Sequence, residues 1–154
     1  MSVQRLINVL ERLDDIHRQL VELADRKREA LIRNDVREVS AVTAKENQWI
    51  KKIEELLDEK RQAAVEFFRS RGFQLIREVT VTELSRLVTD PGEKDALLAA
   101  RDRLSATAET LKNKNELNQK LIEQALGFIN YTLDVLVGPE DAPMYRHPLD
   151  SQPS

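Results

Sequence analysis

The residues best placed to do chemistry in this chain are Asp14 and His17, three positions apart. At that spacing a carboxylate and an imidazole share one face of a helix. Ferritin-like proteins use the same arrangement to hold metal, but they need a matching pair on a facing helix. The second histidine, His147, falls in a proline-rich stretch near the C-terminus, so no second pair can be built. The shortage of histidine also argues against a Ser/His/Asp relay, because His17 would have to act as the base on an exposed, charged helix face. There is no cysteine, hence no thiolate nucleophile, disulfide or cysteine-ligated metal. Gly72, Gly92, Gly127 and Gly138 are isolated and form no phosphate-cradling loop. The sequence therefore predicts a protein with no catalytic residue, no metal and no cofactor.

Binding chemistry is better represented, and it lies in the last long helical segment, about residues 92 to 138. Taken at 100° per residue, Leu111, Asn118, Ile122, Ala125, Ile129, Leu133 and Leu136 share one side of that helix. Leu117, Leu121, Phe128, Tyr131 and Val135 form a second stripe about 130° around the cylinder. A helix in a small bundle needs only one apolar stripe, so the second predicts a binding surface or deep burial. Asn115 and Asn118 fall where the seam continues, and an asparagine there fixes register or partner geometry at a cost in stability. The opposing reading, with both asparagines merely facing water at a bundle edge, is equally compatible with the periodicity.

Three long helices are expected to position these residues. Leu6, Val9, Leu13, Ile16, Leu20 and Leu23 alternate steps of three and four, the seam of a coiled-coil-like helix over about 3–33. Asn34 and Asp35 break it with capping chemistry, so a tight reversal leads into a second helix over about 36–71. Val39, Val42, Trp49, Ile53, Leu56, Ala63 and Phe67 form its seam, interrupted by Glu46 and Lys60, and Gly72 after a basic turn ends it. Trp49 reads as core. Residues 73 to 91 read as a loop holding one short helix over Glu83–Val88, capped by Thr82. Asp90 and Pro91 supply the N-cap and first turn of the third long helix, and Gly138-Pro139 ends it. The last residues, 139–154, hold four prolines and no apolar period, so a flexible tail follows a single domain of residues 1–138. The fold class is all-α: an elongated antiparallel bundle of three long helices, with a short extra helix between the second and third.

Composition narrows the partners. Charged residues make up 33% of the 154 and aromatics 5%, and the net charge is −3. Lysines and arginines are interleaved with acids, which argues against nucleic acid. No segment approaches the roughly 18 apolar residues of a membrane span, and the N-terminus lacks a signal peptide's apolar run. A cytoplasmic protein with no membrane insertion is expected.

The stretch Leu111-Lys112-Asn113-Lys114-Asn115-Glu116-Leu117-Asn118-Gln119-Lys120-Leu121-Ile122, leading to Leu133-Asp134-Val135-Leu136-Val137-Gly138 and a tail with Tyr145, resembles the FlgN family of flagellar export chaperones. The resemblance extends to the leucine seam of the first helix, the Asn34-Asp35 break, the segment from Lys45-Glu46 to Leu57 and the basic run to Gly72. It departs from the family at Gln119, where a glycine is common, and at Arg146-His147-Pro148, which replaces a glycine-containing turn.

The resemblance implies a non-enzymatic cytoplasmic chaperone for hook-associated proteins of the hook-filament junction. It would hold the client's terminal helical segment, keep the client unassembled and deliver it to the flagellar type III export apparatus. Leu117, Leu121, Phe128 and Val135 would then meet the client, and Tyr145 would dock at the export gate. Without client the second stripe needs cover, through the tail, a dimer or an exchanged helix. The competing class is a structural coiled-coil oligomer with no export client.

Overall fold

The computed structural model describes residues 3–75 and 77–137. Among them are four helices and no strand: α1 (Gln4–Ile32), α2 (Val36–Ser70), α3 (Val81–Ser85) and α4 (Pro91–Val137). The all-α architecture of three long helices and one short one thus agrees with the hydrophobic period.

α1 is the central helix. Its alternating seam, Leu6 through Leu23, is buried throughout, and so are Ile7, Leu10, Asp14 and Ala24 beside it. That arc is wider than one seam because α1 is packed from two sides, by α2 and by α4, whereas contact between α2 and α4 is slight. Ion pairs record the directions. Arg12 with Glu59 and Arg26 with Glu38 run α2 antiparallel to α1. Glu11 with Arg103 and Asp25 with Lys114 run α4 back alongside α1 in α1's own direction. Glu46, the break in the second seam, meets Lys27 of α1 in a half-buried pair that answers its charge.

The two ends of the hairpin use one chemistry with two residues. Asn34 (φ 57°) and Gly72 (φ 81°) both occupy the left-handed region. After each helix the next two amides turn back: Asn34 N–H to Leu31 O and Asp35 N–H to Ala30 O, then Gly72 N–H to Arg69 O and Phe73 N–H to Phe68 O. These are Schellman closures, which glycine adopts freely and asparagine tolerates. Asp35 also starts the next helix, its carboxylate accepting from Glu38 N–H at 3.1 Å.

The short helix differs from expectation. It spans Val81–Ser85, not Glu83–Val88, and Thr80, not Thr82, caps it. Thr80 Oγ1 accepts from Glu83 N–H at 3.0 Å, and Glu83 stands at the third position of a capping box. Thr82 has only Ser85 at that position, and a serine cannot return the bond to the cap. Arg77 hydrogen-bonds Glu83 and, with the Thr80 backbone bond, holds its carboxyl below the usual range. Asp90 caps α4 as expected, accepting from Glu93 N–H at 2.8 Å.

Two apolar clusters hold these elements together. At the end where α1 begins, all four helices contribute: Val3, Leu6, Ile7 and Leu10 meet Ala63, Phe67, Val81, Leu84, Val88, Leu97 and Ala100. The middle cluster joins Val9, Leu13, Ile16, Leu20 and Leu23 to Val42 and Leu56, with Trp49, Ile53, Leu104 and Leu111 at its edges. Neither cluster includes any α4 residue beyond Leu111.

Candidate functional site

Length mismatch creates the site. α1 has 29 residues and α4 has 47. Asn118 of α4 hydrogen-bonds Ala24 of α1, which puts the two residues side by side. Counting forward from that level, Ile32 ends α1 opposite about residue 126, so the last three turns of α4 run some 16 Å past its supporting helix at 1.5 Å per residue. On that projection Phe128, Ile129, Tyr131, Val135, Leu136 and Val137 are all exposed, Phe128 by 70% and Leu136 by 74%. Ile32 and Val36, at the α1–α2 turn on the same end, are exposed as well. A run of large apolar side chains that no neighbour among the described residues covers is the surface signature of a protein-binding site.

The two-stripe reading changes in one respect. Ile129, Leu133 and Leu136 were expected to continue the bundle seam, yet Ile129 and Leu136 are exposed and Leu133 is only half-buried. The cause is the end of α1: no helix among the described residues runs alongside there, and both stripes turn toward solvent. Of the residues assigned to the outward stripe, Leu117 (53% exposed), Phe128, Tyr131 and Val135 are open. Leu121 is half-buried. It follows Asn118 by three residues, one shoulder of the face that touches α1, and so does not share the exposure of Leu117.

The two asparagines separate. Asn118 is 3% exposed, the last buried residue of α4, and its Nδ2 donates to the Ala24 carbonyl at 2.9 Å. Its Oδ1 is buried with no hydrogen-bond partner. Asn115, by contrast, is exposed and lines a shallow groove with His17, Leu111 and Gln119, so it is not a seam residue. Three residues before Asn118, it sits about 60° around the helix from the α1-facing line. Tyr145 and the tail from residue 139 lie outside the described residues.

The polar pair that opened the sequence reading is committed within α1 itself. Asp14 is buried and accepts from Arg18 Nε at 3.0 Å, and His17 Nδ1 donates to the Leu13 carbonyl at 2.7 Å. No group of three His, Cys, Asp or Glu side chains suited to a metal occurs among the described residues. A groove of about 490 Å³ between α2 and the segment before α3 is lined by Leu57, Ala64, Val65, Leu75 and Val79 with Lys60, Arg61, Arg77 and Glu78 at its rim. It gathers no histidine, serine or cysteine that could act as base or nucleophile. No described helix is long and apolar enough to cross a membrane.

Comparison with known proteins supplies an independent finding. The sequence matches the family described as FlgN protein over residues 1–148. It is 30% identical over 141 residues to the uncharacterized protein YvyG of Bacillus subtilis (strain 168), an alignment covering 92% of this chain and 84% of that relative. No solved structure matches the chain.

Proposed function

The chain belongs to the FlgN family of flagellar export chaperones, and from that premise we propose that the projecting end of α4 is where it holds its client. The client would be the terminal helical segment of a hook-associated protein. The chaperone keeps that segment unassembled in the cytoplasm and hands it to the flagellar type III export apparatus. The observation that carries this reading is the exposure of Leu117, Phe128, Ile129, Tyr131, Val135, Leu136 and Val137, on a stretch of helix that neither bundle cluster needs.

The energetics are adequate. A client helix laid against α4 engages anchors at i, i+3, i+4 and i+7. Each large side chain it covers contributes about 1.5–3 kcal/mol if burial is complete. Leu117, Phe128, Tyr131 and Val135 together outweigh the several kcal/mol lost to association and side-chain ordering. Binding is expected to be submicromolar and reversible, as a carrier requires.

Isothermal titration with a hook-associated protein's terminal helical segment tests the site. Leu117→Asp and Phe128→Asp are expected to keep the circular dichroism of the parent and to weaken binding by at least ~2 kcal/mol, because a carboxylate desolvated in an apolar contact has no partner. Unchanged affinity in both variants would place the client elsewhere. Tyr145 is proposed to dock at the export gate. Tyr145→Ala should then bind client normally while secretion of the client falls, and normal secretion would remove that role.

A further inference from the structure

α4 is one continuous helix, but its attachment to the bundle changes character at Leu111. Leu97, Leu104, Leu111, Asn118 and Ala125 recur every seven residues on one line of the helix. The first three of these positions place leucines in the two apolar clusters. The fourth places an asparagine. Beyond Leu111, two polar contacts to α1 stand out: the exposed Lys114–Asp25 ion pair at 2.7 Å, and the Asn118 bond to the Ala24 carbonyl. Both contacts are weak fasteners. The Asn118 amide is buried with its Oδ1 unsatisfied, so part of the gain from the Nδ2 bond is cancelled by desolvation of the oxygen. The Lys114–Asp25 pair is solvent-exposed, and such pairs add little.

We propose that Asn118 is a built-in weak point that makes residues 112–125 of α4 a latch, closed against α1 in this structure and able to leave α1 and unwind as one block while residues 91–111 stay clamped. A leucine at 118 would continue the seam and fasten the helix along the whole length of α1. The asparagine instead keeps the closed register specific, through the Ala24 carbonyl, while leaving it easy to open. Opening frees the Ala24 carbonyl and uncovers the stretch of α1 around it, where Ala24 is buried when the latch is closed. This device stands on the packing of the free chain and does not depend on where a client binds.

Hydrogen exchange of the full chain, followed by peptide mass spectrometry, tests it. In the native protein, amides in 112–125 should exchange at least ten-fold faster than those in 93–111, and together as one block. Residues 126–137 are left out because a projecting helix end frays in any case. Asn118→Leu should slow the 112–125 block at least ten-fold, and Asn118→Asp, which sets a carboxylate against the Ala24 carbonyl, should speed it, with 93–111 unchanged in both. Equal protection of the two blocks in the native chain would overturn the proposal, as would an Asn118→Leu variant that exchanges like the parent. An Asn118→Asp variant that loses helicity throughout would also overturn it, by tying residue 118 to the whole bundle.

Discussion

The two ends of α4 are built from similar residues and end in opposite situations. Near its start, Leu97 and Ala100 are sealed beneath Leu6, Phe67 and Leu84, with exposures of 0% and 1%. Near its finish, Phe128, Val135 and Leu136 recur at comparable helical spacing and stand in solvent. The hydrophobic pattern along α4 does not distinguish these fates. What differs is the supply of neighbours: α1, α2 and α3 converge on the first end, and α1 has ended before the last. An apolar period therefore states that a surface wants cover, while the lengths of the surrounding helices decide whether the chain provides it.

Stability measurements break this comparison most forcefully. Leu13→Ala and Leu97→Ala each remove a fully buried side chain and should cost about 2–5 kcal/mol in urea unfolding. Phe128→Ala removes a larger side chain from the projecting end and should change stability by less than about 0.5 kcal/mol, as surface substitutions do. If Phe128→Ala were as costly as Leu13→Ala, the end of α4 would be ordinary core and the contrast would disappear.

A smaller effect sharpens the role of α1 as the shared support. Glu46→Ala leaves Lys27 half-buried without its partner across the α1–α2 contact. A loss of about 1–2 kcal/mol is expected. Lys114→Ala removes only an exposed pair between α1 and α4 and should cost under about 0.5 kcal/mol. Comparable losses from the two variants would contradict the difference drawn here between the two faces of α1.

The least effect belongs to the cap of α3. Because Arg77 and the Thr80 amide lower the Glu83 pKa in the folded chain, the ionised carboxylate stabilises the fold at neutral pH. That contribution is lost as pH falls below the ordinary carboxylate value of about 4.3 toward the folded one. Glu83→Gln should thus be slightly less stable than the parent at pH 7 and equal to it near pH 2. A gap that persisted at low pH would show that the cap does not depend on charge.

Much of this was legible in the sequence, for identifiable reasons. The Leu6–Leu23 seam, the Asn34-Asp35 reversal and the Asp90-Pro91 start are local signals, each set by residues within a turn or two of one another. The capping box at Thr80 was local as well. It was missed because Thr82 offers the same hydroxyl, and the deciding feature is the glutamate three residues later. The fates of Ile129, Leu136 and Leu121 were not legible from periodicity, since they depend on where α1 stops and on which shoulder of α4 it touches. The first and third helices differ so much in expected length that the projection itself could have been inferred; its axial position is fixed by the Asn118–Ala24 contact, which only the fold reveals.

The absence of cysteine from the chain allows the most direct test of the central claim, that the projecting end of α4 is the client surface. Val135→Cys, a substitution close in size, places one thiol on the projection, and Ile50→Cys places one on an exposed apolar position of α2. Thiol labelling rates are then measured with and without saturating client segment. The account predicts at least ten-fold protection of Cys at position 135 and none at position 50. Equal labelling at position 135 with and without client, or protection at position 50 instead, would contradict it.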